Sequence, residues 1–256
     1  MDSLRLSLLQ WPQVWEDPAK TSRIIDEILV ELPPSDLVIL PEMWPTGFSM
    51  NTQLFAETMN GPSVQWMKER AARHQAVIAG SMMILEEGNY YNRLIFARPD
   101  GHLDTYDKKH MFGLAGEDRY FSPGNEKKIF DFKGWKICPM ICYDLRFPVW
   151  SRNKEDYDLL LYVAQFPQKR SLAWNSLLKA RAIENVAYSV GVNGLGTDGN
   201  GIIYQGDSSV IDFEGNVILH MEAANGIRTA EIKRAPLELF RRAYPFLKDR
   251  DKFHIP

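Results

Sequence analysis

The sequence predicts an α/β fold of two mixed β-sheets with helices packed on their outer faces. Three observations predict it. Up to Leu85 the chain reads strand, helix, strand, helix, strand; turn pairs then separate runs with two-residue alternation; and strand–helix alternation resumes at KICPMIC.

The first strand lies near Leu4–Leu9. Asp17 and Pro18 have the types of an N-cap and first-turn residue, and the helix they open repeats Ile24, Ile25, Ile28, Leu29 and Leu32 at helical spacing. Pro33 and Pro34 end it. Leu37–Leu40 is a short apolar strand closed by Pro41 and Glu42, and Pro62 starts a helix running toward Gln75 before the strand AVIAGSMMIL. Turn pairs Gly88-Asn89 and Asp100-Gly101 set off YYNRLIFA and HLDTYDK as antiparallel strands. Next come the strand KICPMIC, a short helix from Pro148, the strand DLLLYVAQF, a long helix from about Ser171 to Ala187, and the strand YSVGVN. Strands near Tyr204–Asp212 and Val217–His220 follow, then a helix near Pro236–Ala243 and a polar tail. Neither an internal repeat nor a linker-like shift in composition divides the chain, so one domain over residues 1–256 is expected.

Lys and Arg total 30 against 33 Asp and Glu, a net charge of −3 without a block of one sign. Such a balance speaks against nucleic acid or a membrane surface as partner and favours a small molecule. No apolar run approaches the roughly 18 residues of a spanning helix, and MDSLRLSLLQ lacks the basic and long apolar regions of a signal peptide. A cytoplasmic protein is expected.

Both cysteines fall in CPMICYDLRFP. On an extended run their Cα atoms stand roughly 13 Å apart, beyond the about 7 Å a disulfide spans. The five histidines are scattered and form no metal-ligand pair, so no metal site is expected. Cys138 reads as a small buried apolar residue. Cys142, at the carboxyl end of its strand, where open α/β sheets place ligands, is open locally between a reactive thiol and an inert one.

GLGTDG has the glycine spacing of a dinucleotide-binding turn, but NGIIYQGDSSVIDF after it is strand-like where that motif needs a helix. A glycine-rich turn is the better reading, and a nicotinamide-dependent dehydrogenase is set aside with the motif. Two further strand ends carry chemistry: Glu42 in VILPEMW and Lys108 in TYDKKHMF. Each alone reads as a solvated surface charge. Together with Cys142 they make a carboxylate, an ammonium and a thiol.

VILPEMWPTGF, YDKKHMF and GWKICPMICYDLRFP resemble, in chain order, the Glu, Lys and Cys motifs of the nitrilase (carbon–nitrogen hydrolase) superfamily. RAIENVAYSVGVNGLGTDGNGIIYQGDSSVIDFEGNV and PFLKDRDKF resemble two later segments of that family, so the likeness spans nearly the whole chain. The resemblance implies a four-layer αββα sandwich, commonly a homodimer or larger homo-oligomer, and a reaction needing neither metal nor organic cofactor. Carried over, it assigns Glu42, Lys108 and Cys142 to the catalytic positions, with Glu117 in AGEDRYFSPG holding Lys108.

Physically, a nearby ammonium favours a thiolate, and Glu42 would serve as general base and then protonate departing ammonia. Lys108 and the backbone N–H of Tyr143 would stabilise the oxyanion. Asp144 and Arg146 read as braces of the turn behind Cys142. A non-catalytic binding protein on this fold is the reading from another class, and retention of all three chemical groups speaks against it.

CYDLRFP is similar to the branch of omega-amidases and deaminated-glutathione amidases, where true nitrilases usually carry Cys-Trp-Glu. The lack of spanning segments excludes a lipoprotein acyltransferase, and no attached synthetase domain is expected. Compact bacterial omega-amidases, acting on ω-amides of 2-oxo dicarboxylic acids such as 2-oxoglutaramate and 2-oxosuccinamate, are the nearest resemblance. Such a substrate has a distal carboxylate, for which Lys169 or Arg170 is a candidate cation; Phe48, Trp44 and Phe166 are candidate pocket walls.

Overall fold

The computed structural model describes residues 2–254. The expected domain runs over 1–256, so Met1, Ile255 and Pro256 lie outside the described residues. In chain order the elements are β1 Ser3–Gln10, α1 Pro18–Leu29, β2 Leu37–Ile39, α2 Thr52–Phe55, α3 Pro62–His74, β3 Val77–Glu86, β4 Asn89–Ala97, β5 Leu103–Asp107, β6 Phe130–Phe132 and β7 Trp135–Ile141. There follow α4 Pro148–Ser151, β8 Leu159–Ala164, α5 Ser171–Asn185, β9 Tyr188–Asn193, β10 Leu195–Thr197, β11 Ile203–Gln205, β12 Ser209–Ile211, β13 Val217–His220, β14 Gly226–Lys233 and α6 Arg234–Ala243.

Twelve of the strands form two six-stranded mixed sheets, ordered β14-β1-β2-β3-β4-β5 and β13-β12-β9-β8-β7-β6. The centre of each is parallel: β1, β2 and β3 in one, β7, β8 and β9 in the other. Alternation along the first sheet explains the layering. Leu4, Leu6, Leu8, Leu37, Ile39, Val77, Ala79, Leu94 and Phe96 join one buried core with Ile137, Met140 and Leu161 of the second sheet. Their neighbours Leu9, Val38, Ile78 and Ile95 point the other way, onto Ile25 and Leu29 of α1 and Val64, Met67 and Ala71 of α3. On the far side α5 lays Trp174 and Leu178 against β9 so closely that a Cβ at Gly191 would stand 2.6 Å from both. The order is therefore helix, sheet, sheet, helix.

Helix α1 begins as its sequence dictates: the Asp17 carboxylate accepts from Lys20 N at 2.9 Å and Pro18 occupies the first turn. Among the described residues, no helix is long and apolar enough to cross a membrane.

Two points differ from expectation. The single strand expected over Tyr204–Asp212 is two, β11 and β12, broken at Gly206 and Asp207, both at positive φ. The buried Gln10 side chain causes the break: a Cβ at Gly206 would lie 2.2 Å from it, and Gln10 bonds Ser208 N, Glu222 O and Ala224 O around the bend. β14 was unforeseen and pairs antiparallel with the whole of β1, from Ser3 opposite Lys233 to Gln10 opposite Gly226. The glycine run forms β10 and the hairpin to β11, a glycine-rich turn as expected.

Candidate active site

The site collects beyond the carboxyl ends of β2 and the edge strand β5 in one sheet and of β7 and β8 in the other. Beyond β2 the chain turns through Glu42 and Met43, the latter at φ +45°, and is pinned to β3 by Met43 N to Ser81 Oγ at 2.9 Å and Trp44 N to Ser81 O at 3.0 Å. Beyond β5, the backbone of Lys108 is fixed on both sides, its N–H donating to Asn92 O at 3.0 Å and its carbonyl accepting from Gly124 N at 2.8 Å. Gly124 is obligatory there, because a Cβ would stand 2.2 Å from the Asp107 carbonyl.

Cys142 lies one residue past β7, at φ +44°. A non-glycine residue in this left-handed region is strained by on the order of 1–3 kcal/mol, and the surroundings must hold it there. Asp144 does so: its buried carboxylate accepts from Ile141 N at 3.0 Å, Tyr106 Oη at 2.7 Å and His110 N at 3.0 Å, and meets His110 Nδ1 at 2.7 Å. The expected bracing role of Asp144 is thus visible in its contacts. The Tyr143 N–H falls in the first turn of the short helix Cys142–Arg146, where intrahelical acceptors are lacking.

Behind the thiol is a buried ionic cluster. Lys108 Nζ meets Glu42 Oε1 at 2.7 Å and both Glu117 oxygens at 2.9 Å, and all three side chains are fully buried. Glu42 Oε2 accepts from Gln165 N at 2.9 Å; Glu117 Oε2 accepts from Phe112 N at 2.6 Å. Asn92 Nδ2 donates to Glu42 Oε1 at 2.8 Å and Glu117 Oε1 at 3.2 Å. Gln165, just past β8, joins cluster to nucleophile, since its carbonyl accepts from Cys142 Sγ at 3.8 Å. Its side chain holds the Glu42 carbonyl at 3.0 Å and also donates to Gln13.

Burial alone would lower Lys108, but Glu117 and Glu42 outweigh it and hold the ammonium well above its ordinary value. Burial pushes the Glu117 carboxyl up, Lys108 opposes this and Glu42 adds to it. Donors nonetheless occupy both its oxygens, which favours the ionised form. For Cys142, burial comes first, then the Glu42 charge, and together they raise the thiol well above its ordinary value against the pull of Lys108. Lys108 thus pulls toward the thiolate as expected, but its charge is shared between two carboxylates, and burial with Glu42 outweighs that pull. Cys138, fully buried, is pushed up to about 12.

Cys142 is 8% exposed and opens into a cleft of about 850 Å³. Phe48, Tyr143, Phe166, Lys169 and Arg170 line it with Cys142. The Phe48 ring also faces Lys108, 5.3 Å from Nζ. Trp44 does not line the cleft; it packs on Trp66 at 4.8 Å in the core under α3, so that expectation fails because its loop turns the indole toward the helices. Arg146 departs from its expected bracing role: it is exposed, lines the cleft, and carries its guanidinium 5.7 Å from the Phe166 ring. Arg170 lies over Phe112 and Phe166 at 4.9 and 5.6 Å. Among the described residues, no group of three or more His, Cys, Asp or Glu is arranged to hold a metal ion.

Sequence reasoning missed Asn92, Gln165 and the cleft-facing Arg146. Asn92 had a signal: it shares a strand face with Leu94 and Phe96, so a polar residue stands where alternation calls for an apolar one. Gln165, the first polar residue after the apolar run of β8, offered less.

Known proteins resemble this chain in sequence and fold. Residues 5–242 match the family model described as carbon-nitrogen hydrolase. The chain is 43% identical over 256 residues to a protein named omega-amidase YafV from Escherichia coli (strain K12), covering 100% of both chains. It is 33% identical over 220 residues to 2-oxoglutaramate amidase of Bacillus subtilis (strain 168), covering 84% of this chain and 85% of the other. A crystal structure of XC1258 from Xanthomonas campestris, described as a CN-hydrolase superfamily protein with an arsenic adduct in the active site, superposes with a TM-score of 0.98 at 42% identity over the whole of both chains.

Proposed function

The chain belongs to the carbon–nitrogen hydrolase family, and from that premise we propose that it is a cysteine-dependent amidase acting on the ω-amide of small 2-oxo dicarboxylic monoamides such as 2-oxoglutaramate and 2-oxosuccinamate. The observation that carries the reading is the buried Glu42–Lys108–Glu117 cluster standing behind a thiol at the floor of a cleft edged by Arg146, Lys169 and Arg170. The relatives named for such activities supply the substrate class.

As Cys142 Sγ attacks the amide carbon, its proton passes to Glu42 and the carbonyl oxygen becomes an oxyanion. Lys108 and the Tyr143 N–H stabilise that charge, each donor being worth about 3 kcal/mol. Collapse breaks the C–N bond, and the proton on Glu42 goes to the nitrogen, which leaves as ammonia. A water then gives a proton to Glu42 and attacks the thioester; the C–S bond breaks, the proton returns to sulfur and the dicarboxylate departs. Glu117 keeps Lys108 charged and aimed throughout. Because burial and the Glu42 charge disfavour the thiolate, Glu42 is needed as base from the first step.

Phe48 and Phe166 wall the acyl chain, and a cation of the cleft, Arg146, Lys169 or Arg170, holds the distal carboxylate. The same reading takes residues 1–256 as one domain working in the cytoplasm as a homodimer or larger assembly. Leu172 and Ile183, both exposed and about three turns apart on one face of α5, favour association, which sedimentation measures. The substrate test is ammonia release from 2-oxoglutaramate, its ω-amide analogue lacking the distal carboxylate, deaminated glutathione and an aliphatic nitrile. The reading expects kcat/KM for 2-oxoglutaramate to exceed that of the neutral amide by about ten- to a hundredfold, the worth of one charge-assisted hydrogen bond. Equal rates overturn it, and a preference for deaminated glutathione moves the assignment to that neighbouring activity.

A further inference from the structure

Asn92 stands at the centre of the buried cluster without belonging to its charged members. It is fully buried on β4, opposite Met83 of β3, and its own carbonyl holds Lys108 N. Its side-chain amide donates to both carboxylates, at 2.8 and 3.2 Å. Its Oδ1 is buried and has no hydrogen-bond partner among the described residues. The opposite amide orientation would set that oxygen against two carboxylates and strand the NH₂ group, so the contacts themselves fix which atom faces the cluster. A buried acceptor left unsatisfied is a standing loss, and here it accompanies a neutral side chain that bridges both acids.

Charge counting gives that bridge a purpose. With Glu42 and Glu117 ionised and Lys108 protonated, the cluster is left with one uncompensated negative charge out of contact with water. Neutral donors must carry it, and among the described residues Asn92 alone of these touches both carboxylates. We propose that Asn92 is a positioning residue that holds Glu42 ionised and aimed as the resting base, by sharing the excess negative charge between Glu42 and Glu117. This rests on the reading of Glu42 as general base. The titratable groups acting on Glu42 and its surroundings are Lys108, Glu117, Cys142 and, across the cleft, Tyr204.

The experiment compares Asn92→Leu, which removes the donor at equal heavy-atom count, with Asn92→Ser, which keeps one hydroxyl donor, in full pH profiles of kcat/KM on 2-oxoglutaramate alongside Glu42→Gln and thermal melts. Losing a donor to the ionised form favours protonation of the base, so the acid limb moves to higher pH, by about one unit for Leu and less for Ser. Plateau kcat falls about ten- to a hundredfold in Asn92→Leu, with KM within threefold of wild type. An acid limb unmoved in both variants, whatever their melting temperatures, overturns the proposal. Should Asn92→Leu fail to fold, the Ser variant alone decides by the same criterion. Loss of activity in Glu42→Gln with unmoved Asn92 variants refutes only this inference, whereas near wild-type activity in Glu42→Gln refutes the reading beneath it.

Discussion

Replacing Lys108 with Met removes the cation from a cluster in which it makes three contacts of 2.7–2.9 Å to two fully buried carboxylates. Glu42 and Glu117 then keep only Asn92 and the N–H groups of Gln165 and Phe112 as donors. Leaving one side of a buried ion pair unmatched costs about 3–5 kcal/mol. In a protein of this size each kcal/mol moves Tm by roughly 2–4 °C, so the variant should melt on the order of 10 °C lower at neutral pH. Its folding is therefore not neutral, although the sequence alone gave no reason to expect a stability effect. The rate should fall by about 10²–10³ from loss of one oxyanion donor, and further as Glu42 loses its partner. The pH dependence has a definite sign. Glu117 already sits above its ordinary 4.5, and losing the opposing cation raises it further. A carboxyl raised in the folded state contributes stability that is present below its unfolded value and lost as pH rises through the folded one. The melting deficit should thus be largest near neutrality and narrow as pH falls toward about 4.5. Calorimetric melts between pH 4.5 and 8, with ammonia release assayed in parallel, decide it. A deficit that is absent, or that widens in acid, or a rate within threefold of wild type, would refute the reasoning.

Iodoacetamide should inactivate by labelling Cys142, which opens into the cleft, and spare Cys138, which is fully buried in the core; equal loss of activity in Cys138→Ser and Cys142→Ser, both folded, would remove the distinction. Of Arg146→Ala, Lys169→Ala and Arg170→Ala, at least one should lower kcat/KM on 2-oxoglutaramate about ten- to a hundredfold while leaving the neutral amide nearly untouched, and an unchanged preference in all three removes the cleft cations as anchor. Gly194→Ala would place a Cβ 2.0 Å from Gln165 Oε1, so the segment that holds Glu42 must shift and kcat should drop more than KM rises; wild-type kinetics would show Gln165 to be dispensable there.

The elements legible in the sequence are those whose pattern is local. Ile25 and Leu29 of α1 repeat on one face, and the all-apolar β8 announces a strand buried on both sides. β14 escaped because its inward face offers little beyond Ala230 and Ile232, and what makes GIRTAEIK a strand is pairing with β1 from the other end of the chain. The Tyr204–Asp212 break likewise depends on Gln10, nearly two hundred residues away. In the site, Glu42, Lys108 and Cys142 were findable because strand ends and motifs mark them. Asn92 and Gln165 act through contacts across fifty and more residues; strand alternation marks Asn92 as out of place, but no local pattern records the partners of either. The surroundings of the thiol were only partly legible for a related reason: the sequence shows that a lysine is present, whereas its pairing with Glu42 and Glu117 forms only in three dimensions.

The central claim is a thioester on Cys142, and the most direct measurement is peptide mass spectrometry of enzyme quenched in acid within one turnover of an activated ω-ester of 2-oxoglutarate. The account predicts the acyl group on the peptide carrying Cys142, released by hydroxylamine and absent from Cys142→Ser. Product formed in that first turnover with Cys142 unmodified, or with the acyl group on another residue, would contradict it.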